Sequence, residues 1–326
     1  MTGVFKANNP TGNFILFIYA LVLKFPMFMQ LSDPALQPLD GILYKALLEL
    51  MVPIVKFVPF IYSVLSFGLL FIQALSINRI VNTLRLHKQP NYLTGMSYLL
   101  ITSLFTDWFV FSAPLIVNTL LVWIWSRLCG LYSNTAAKST IFNIGLVTGI
   151  ASFIYFPSIA FLILVMVGIA IARPFKIQEW IVGLIGITTP IYFFLTFLYL
   201  TNKFHTYSFP GFHFSLPHFF GNKWAFTSLL IVLIATIIGV YFINANINRQ
   251  VVQTRKSWQL LFLYLFVAML VPFFNAAINF SYWILLAVPL SPIIAAAFFY
   301  PTKKIFPLIL HWSMFAIFII LNFIIK

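Results

Sequence analysis

Five carboxylates in 326 residues are few enough to judge one by one. Asp33, Asp40 and Glu49 fall within QLSDPALQPLDGILYKALLEL, Asp107 stands alone in FTDWF, and Glu179 sits in ARPFKIQEWIVGL. Lys24 is the odd cation, placed late in the apolar run NFILFIYALVLKFPMFMQ (13–30). An unpaired ammonium there is costly. It either snorkels to the nearer surface or finds an anion: Asp33, Asp40, Asp107 or a lipid phosphate. Asp33 and Asp40 are the candidate catalytic acids. A carboxylate beside a cation is what a transferase using a lipid-phosphate donor needs, the acid moving a proton or holding a metal while the cation steadies the leaving group. Lys24 and Asp107 are therefore the candidate lipid-phosphate or substrate contacts.

Other polar residues offer less. His205, His213 and His218 share the loop 201–224, but their spacings of eight and five match no usual metal-ligand pattern. They read as part of an aromatic-rich outer loop, and no metal site is assigned. Glu179 follows Arg173 and Lys176, and a carboxylate at a helix start is stabilised by the dipole and by nearby cations. Walker, GxGxxG, GxSxG and HExxH patterns do not occur, which argues against nucleotide-driven chemistry. No cofactor is implied. The single Cys129 excludes a disulfide framework and a cysteine metal cluster.

The elements that must position these residues are helices in a bilayer. The chain is 62% hydrophobic and only 7% charged, against about 25% charged residues in soluble domains. Its apolar residues form runs such as IVGLIGITTPIYFFLTFLYL (181–200), long enough for a hydrocarbon core that takes about 20 residues. The runs are continuous, without the alternation of a barrel. The first run lacks a small-residue cleavage site and is kept as a span. The expected fold is all-α: one polytopic transmembrane bundle over 1–326 with about eleven helices. They are placed at 13–30, 57–77, 93–111, 114–128, 139–156, 158–172, 180–200, 224–245, 258–275, 282–300 and 305–323. Ile42, Leu43, Leu47, Leu48 and Met51, interrupted by Lys45 and Glu49, add a short interfacial helix after the first span. Asp40 would cap it, and Lys45 and Glu49, four apart, would pair.

With the N-terminus inside, all six arginines (79, 85, 127, 173, 249 and 255) fall on the cytoplasmic side, and Lys326 lies outside. The net charge of +14 thus marks inner loops and not a nucleic-acid surface. The expected location is a bacterial inner membrane. Pro114, Pro157, Pro190 and Pro272 mark helix ends or kinks. Gly145 and Gly149 are a small-xxx-small pair for close helix packing. Trp108, Trp180, Trp224, Tyr282 and Trp283 fall where interfacial belts are expected.

Four blocks carry a resemblance: FKANNPTGNFILFIYALVLKFPMF, FTDWFVFSAPLIVNTLLVWIWSRL, IFNIGLVTGIASFIYFPSIAF and ARPFKIQEWIVGLIGITTPIYF. Over most of its length the chain resembles a family of uncharacterised polytopic membrane proteins of Bacteroidota. That resemblance transfers no catalytic residue. An iron-dependent carotene oxygenase, a label some members carry, would need several histidines within helices, and only His311 lies in one. The chain also resembles polyprenyl-phosphate-dependent multi-helix membrane glycosyltransferases, which share an acidic external segment and a Gly-x-x-x-Gly helix. This likeness implies Asp33 or Asp40 as the acid and polyprenyl phosphate as a ligand. Three readings follow. A component of cell-envelope assembly with protein partners predicts no polar cavity. A lipid-linked transferase predicts an outward crevice lined by Lys24, Asp33, Asp40 and Asp107. A transporter or flippase predicts a cavity built from broken helices. All three would be embedded among membrane lipids.

Overall fold

The computed structural model describes residues 2–7, 9–29, 31, 33–205, 207, 223–274, 280–303 and 305–324. It is a helical bundle, as the apolar runs require. Nine of its helices, among the described residues, are long and apolar enough to cross a membrane. The chain starts with α1 (Thr2–Lys6), α2 (Gly12–Met29), α3 (Ile42–Phe57) and α4 (Ile61–Thr83). It continues with α5 (Leu93–Ser103), α6 (Ala113–Gly130), α7 (Ala137–Ile154), α8 (Phe161–Ala172) and α9 (Ile177–Leu200). It closes with α10 (Lys223–Ile247), α11 (Val252–Leu270), α12 (Ala287–Phe299) and α13 (Ile305–Ile319).

The expected helix 93–111 is not continuous. α5 stops at Ser103 after 11 residues, about 16 Å of rise, or half a hydrocarbon core. A 3₁₀ turn at Thr106–Phe109 follows, and then extended backbone at Val110 and Ser112. The local reason is chemical: the Thr102 and Ser103 hydroxyls donate to the carbonyls of Tyr98 (2.9 Å) and Leu99 (2.6 Å), competing with helix propagation. The stretch Phe156–Ala172 is also short, a 3₁₀ turn opened by Pro157 and then α8. Phe280–Leu286 is likewise 3₁₀ before α12 begins. Phe280–Phe299 as a whole is still long enough to cross, so among the described residues length and hydropathy give nine candidate spans where the sequence suggests eleven.

Every residue of α5 and of α12 is buried. These two short helices pack on each other and form the axis of the bundle. At the periphery α9 packs chiefly on α7. A Cβ at Gly145 would stand 2.5 Å from the Gly183 carbonyl, and one at Gly149 would stand 2.6 Å from that of Ile187. The Gly145/Gly149 pair thus serves close backbone packing, as its spacing implies. Gly186 completes the contact from the α9 side, 2.5 Å from the Phe142 carbonyl by the same construction.

The connections gather at two ends. At one end Tyr92 N donates to Phe5 O (2.8 Å), Gln250 Nε2 to Leu86 O (3.0 Å) and Lys256 Nζ to Ala172 O (3.1 Å). Arg173 adds Nη1 donations to Leu131 O (3.1 Å) and Asn134 O (2.6 Å), and pairs with Glu179 at 3.4 Å. Glu179 therefore has the structural role its surroundings suggest. All six arginines lie in or beside these connections, which we call the basic end. The opposite, acidic end joins the segment before α3, residues 104–112, residues 154–156 and residues 280–282.

The glycine contacts give a sign test. A methyl group added at Gly68 would meet open space, whereas one added at Gly145 would meet backbone. Gly68→Ala should raise the thermal midpoint in detergent, by up to about 1 kcal/mol of stability. Gly145→Ala should lower it, by about 1–3 kcal/mol. Equal shifts of the same sign would show that α9 does not depend on this contact.

Candidate functional site

The site is built by the segment that runs from α2 to α3. Its last residues are sewn to the end of α7: Gly41 N donates to Ile154 O (2.8 Å) and Phe156 N to Leu39 O (3.1 Å). Asp40 and Tyr155 thereby form an isolated antiparallel bridge. Only glycine fits at position 41, because a Cβ there would overlap the Phe153 carbonyl. Next in the chain, α3 anchors through Tyr44, whose hydroxyl donates to Phe111 O (2.9 Å). The Phe111 ring stacks on Tyr62 at 5.8 Å, and Tyr155 stacks on Tyr282 at 5.4 Å.

These contacts enclose a cavity of about 200 Å³. Three of the five carboxylates line it, Asp33, Asp40 and Asp107, together with Gln37, Tyr44 and Tyr282. Among the described residues no lysine or arginine lines it. The volume is below the roughly 300–1,000 Å³ of whole-ligand pockets, so the cavity suits one group of a larger molecule. Among the described residues no three His, Cys, Asp or Glu side chains converge closely enough to hold a metal ion.

Asp40 is 4% exposed, whereas Asp33 and Asp107 are open to solvent. Asp40 does not cap α3: Gly41 occupies the cap position, and the Asp40 Oδ2 accepts from Gln37 N at 2.9 Å. Burial pushes its carboxyl up to about 6, with the Gln37 N–H and the Lys45 charge offsetting part of the effect. Asp107 Oδ2 accepts from Phe280 N at 3.0 Å. The neighbouring Trp108 Nε1 donates to Phe280 O at 2.8 Å. Trp108 and Tyr282 are 3% and 2% exposed, so they are wall residues of the bundle and not interfacial belts. Their hydropathic context gave no sign of this. The roles of Gln37, Tyr44 and Phe280 were equally silent, because each depends on a contact distant in sequence or on a backbone group.

Lys24 departs from both expectations. It neither snorkels nor meets a carboxylate: it is fully buried, and its Nζ donates to Thr102 Oγ1 at 2.9 Å. The Phe109 ring faces its Nζ at 4.7 Å. Lys24 therefore sits against the last turn of α5 and does not line the cavity. Lys45 and Glu49 do not pair; Arg173–Glu179 is the one ion pair among the described residues.

None of the described histidines lines the cavity. His87 is buried among the rings of Phe299 (5.5 Å), Trp258 (6.2 Å) and Tyr300 (6.3 Å), and burial pushes its imidazole down to about 4. His311 shares a 3.0 Å hydrogen bond with Tyr19. His205 lies in the turn that follows α9, while His213 and His218, like Lys326, lie outside the described residues.

Residues 27–326 match the model of a family of unknown function, DUF6427, and the chain belongs to that family. No match was found among curated proteins or solved structures.

The raised Asp40 carboxyl makes a prediction about stability. Its ordinary value is about 3.9 and its folded value about 6. The folded protein therefore holds this proton more tightly than the unfolded chain does. The resulting stabilisation is full below about pH 4 and is lost as pH rises through 6, by at most about 3 kcal/mol. Asp40→Asn should remove that step from the pH profile of thermal unfolding, leaving it visible only in the parent protein. Parallel profiles for the two would contradict the burial of an ionisable Asp40.

Proposed function

We propose that this member of the family works in cell-envelope assembly in a bacterial inner membrane, as an enzyme of lipid-linked group transfer with Asp40 as its acid–base group. The acidic end faces outward, since the arginines crowd the other end. The observation that carries the reading is the position of Asp40. A backbone bridge fixes it, it is buried, its proton affinity is raised towards neutrality, and it borders a cavity with two further carboxylates. A perturbed carboxyl in a cleft is a candidate general base.

In the proposed step an acceptor hydroxyl enters the cavity and gives its proton to the Asp40 carboxylate. The freed oxygen bonds to the transferred group, and the leaving group departs with the electron pair of the broken bond. Carboxylates accept hydrogen bonds from hydroxyls and amines, and they repel phosphate. A polyprenyl-phosphate donor therefore keeps its phosphate outside this cavity, and Lys24, capped by Thr102 and Phe109, is not its partner. The reading as a non-catalytic envelope component with protein partners calls for a bundle without a polar cavity, and the carboxylate lining counts against it.

A second reading has its own support. The axial helices α5 and α12 are both flanked by 3₁₀ turns at the acidic end, and broken helices of this kind serve transporters. Release of chemically unchanged substrate across proteoliposomes would put transport ahead of transfer.

Asp40→Asn should leave the protein folded and reduce its activity in complementing a deletion strain by about 10²–10⁴-fold, the range for loss of a general base. Asp33→Asn should be milder. Full complementation by Asp40→Asn would rule out the acid–base assignment.

A further inference from the structure

On the far side of the Asp107–Trp108 wall lies a second space, an apolar crevice of about 320 Å³ between α10, α11 and residues 105–108. Phe105, Trp108, Leu233, Ile237, Met269 and Phe280 are among its lining residues. Leu233, Ile237 and Met269 are 50%, 60% and 42% exposed, so the crevice opens on the lipid-facing side of the bundle. Among its described lining residues the one hydroxyl, on Thr236, donates to Val232 O at 2.7 Å. A hydrocarbon chain is the occupant such a lining accepts.

The wall between the two spaces is thin and fixed. Trp108 Nε1 donates to Phe280 O and Asp107 Oδ2 accepts from Phe280 N, so two hydrogen bonds staple residues 107–108 to residue 280. Phe105 and Trp283 each stack on Phe280, at 5.1 and 5.6 Å. Along this staple the Asp107 carboxylate borders the acidic cavity, whereas the adjacent Trp108 indole borders the crevice. One wall therefore presents anionic oxygen to one side and aromatic carbon to the other.

We infer that the two spaces form one amphiphile site: the crevice holds the hydrocarbon chain of a lipid whose uncharged, hydroxyl-bearing headgroup passes over the exposed Asp107 edge of the wall into the acidic cavity. The inference rests on the proposed function only in placing the substrate's polar group at the carboxylates. It adds the chain site and a headgroup preference. Three carboxylates, with no cation among the described lining residues, disfavour an anionic headgroup through like-charge contact. The apolar groove between α2 and α13, lined by Leu21, Phe25, Phe315 and Phe318, has no carboxylate among its lining residues and serves as an internal reference.

The test uses the full chain in phosphatidylethanolamine vesicles with two photoactivatable probes of identical diazirine-bearing chain, an alkyl glucoside and an alkyl phosphate. Crosslinks are mapped by mass spectrometry. The glucoside should label the peptides containing Phe105–Trp108 and Leu233–Ile237 about tenfold more than the phosphate does. Both probes should label the α2–α13 groove alike. Asp33→Asn combined with Asp107→Asn should shrink the difference at the crevice while leaving its total labelling in place. Equal labelling of the crevice by both probes, or crevice labelling no higher than in the reference groove, would overturn the inference. The outcome is separable from the transfer chemistry. Preferential labelling in a protein whose Asp40→Asn form complements fully would sink the transferase and keep the amphiphile site. An inactive Asp40→Asn form without preferential labelling would do the reverse.

Discussion

Backbone that leaves the helix inside a bilayer must find new hydrogen-bond partners, because the hydrocarbon offers none. α5 ends at Ser103, well short of a membrane's thickness, and the chain then needs nine residues to reach α6. Lys24 answers part of that need. Its amino group meets the Thr102 hydroxyl and the Phe109 ring, one on each side of the break. Asp107, Trp108 and Phe111 all lie in the segment that this arrangement holds, and each becomes a wall of the site. A lysine that looks like a misplaced charge is thus the fixed point from which the acidic end is built.

The second fixed point is the bridge between Asp40 and Tyr155. It joins a connecting segment to the end of α7 by backbone alone, and Gly41 makes that approach sterically feasible. Rigid placement matters for a buried carboxyl. A side chain free to swing into water would keep an ordinary proton affinity, whereas one held inside does not. Through Tyr155 and Tyr282 the same bridge reaches the 3₁₀ turn that precedes α12, so both axial helices report to one cavity. The opposite end is tied by different chemistry, with arginine and lysine donating to the carbonyls of neighbouring connections.

Much of this was legible in the sequence because hydropathy and charge sidedness act residue by residue. The apolar runs predict the bundle, the arginines predict which connections share an end, and Gly145 with Gly149 predicts a close helix pair. Asp33, Asp40 and Asp107 were singled out by rarity, and they do line one cavity. The break in α5 was hidden because Leu104, Phe105, Trp108 and Phe109 are as apolar as the helix before them. The partners of Lys24 were hidden because Thr102 and Phe109 are 78 and 85 positions away and carry no charge. Asp40 resembled a helix cap by spacing, yet its carboxylate turns back to Gln37. What pattern reading missed was decided by contacts across the bundle.

The account depends most on Lys24 holding the broken end of α5. Hydrogen–deuterium exchange of the Lys24→Met protein in detergent tests this directly, because methionine keeps the side chain's bulk and removes the amino group that bonds Thr102. Exchange should quicken in residues 99–112 and stay unchanged in α9, which packs chiefly on α7. Unchanged protection of residues 99–112 would mean that the break is held by packing alone and that Lys24 has another role.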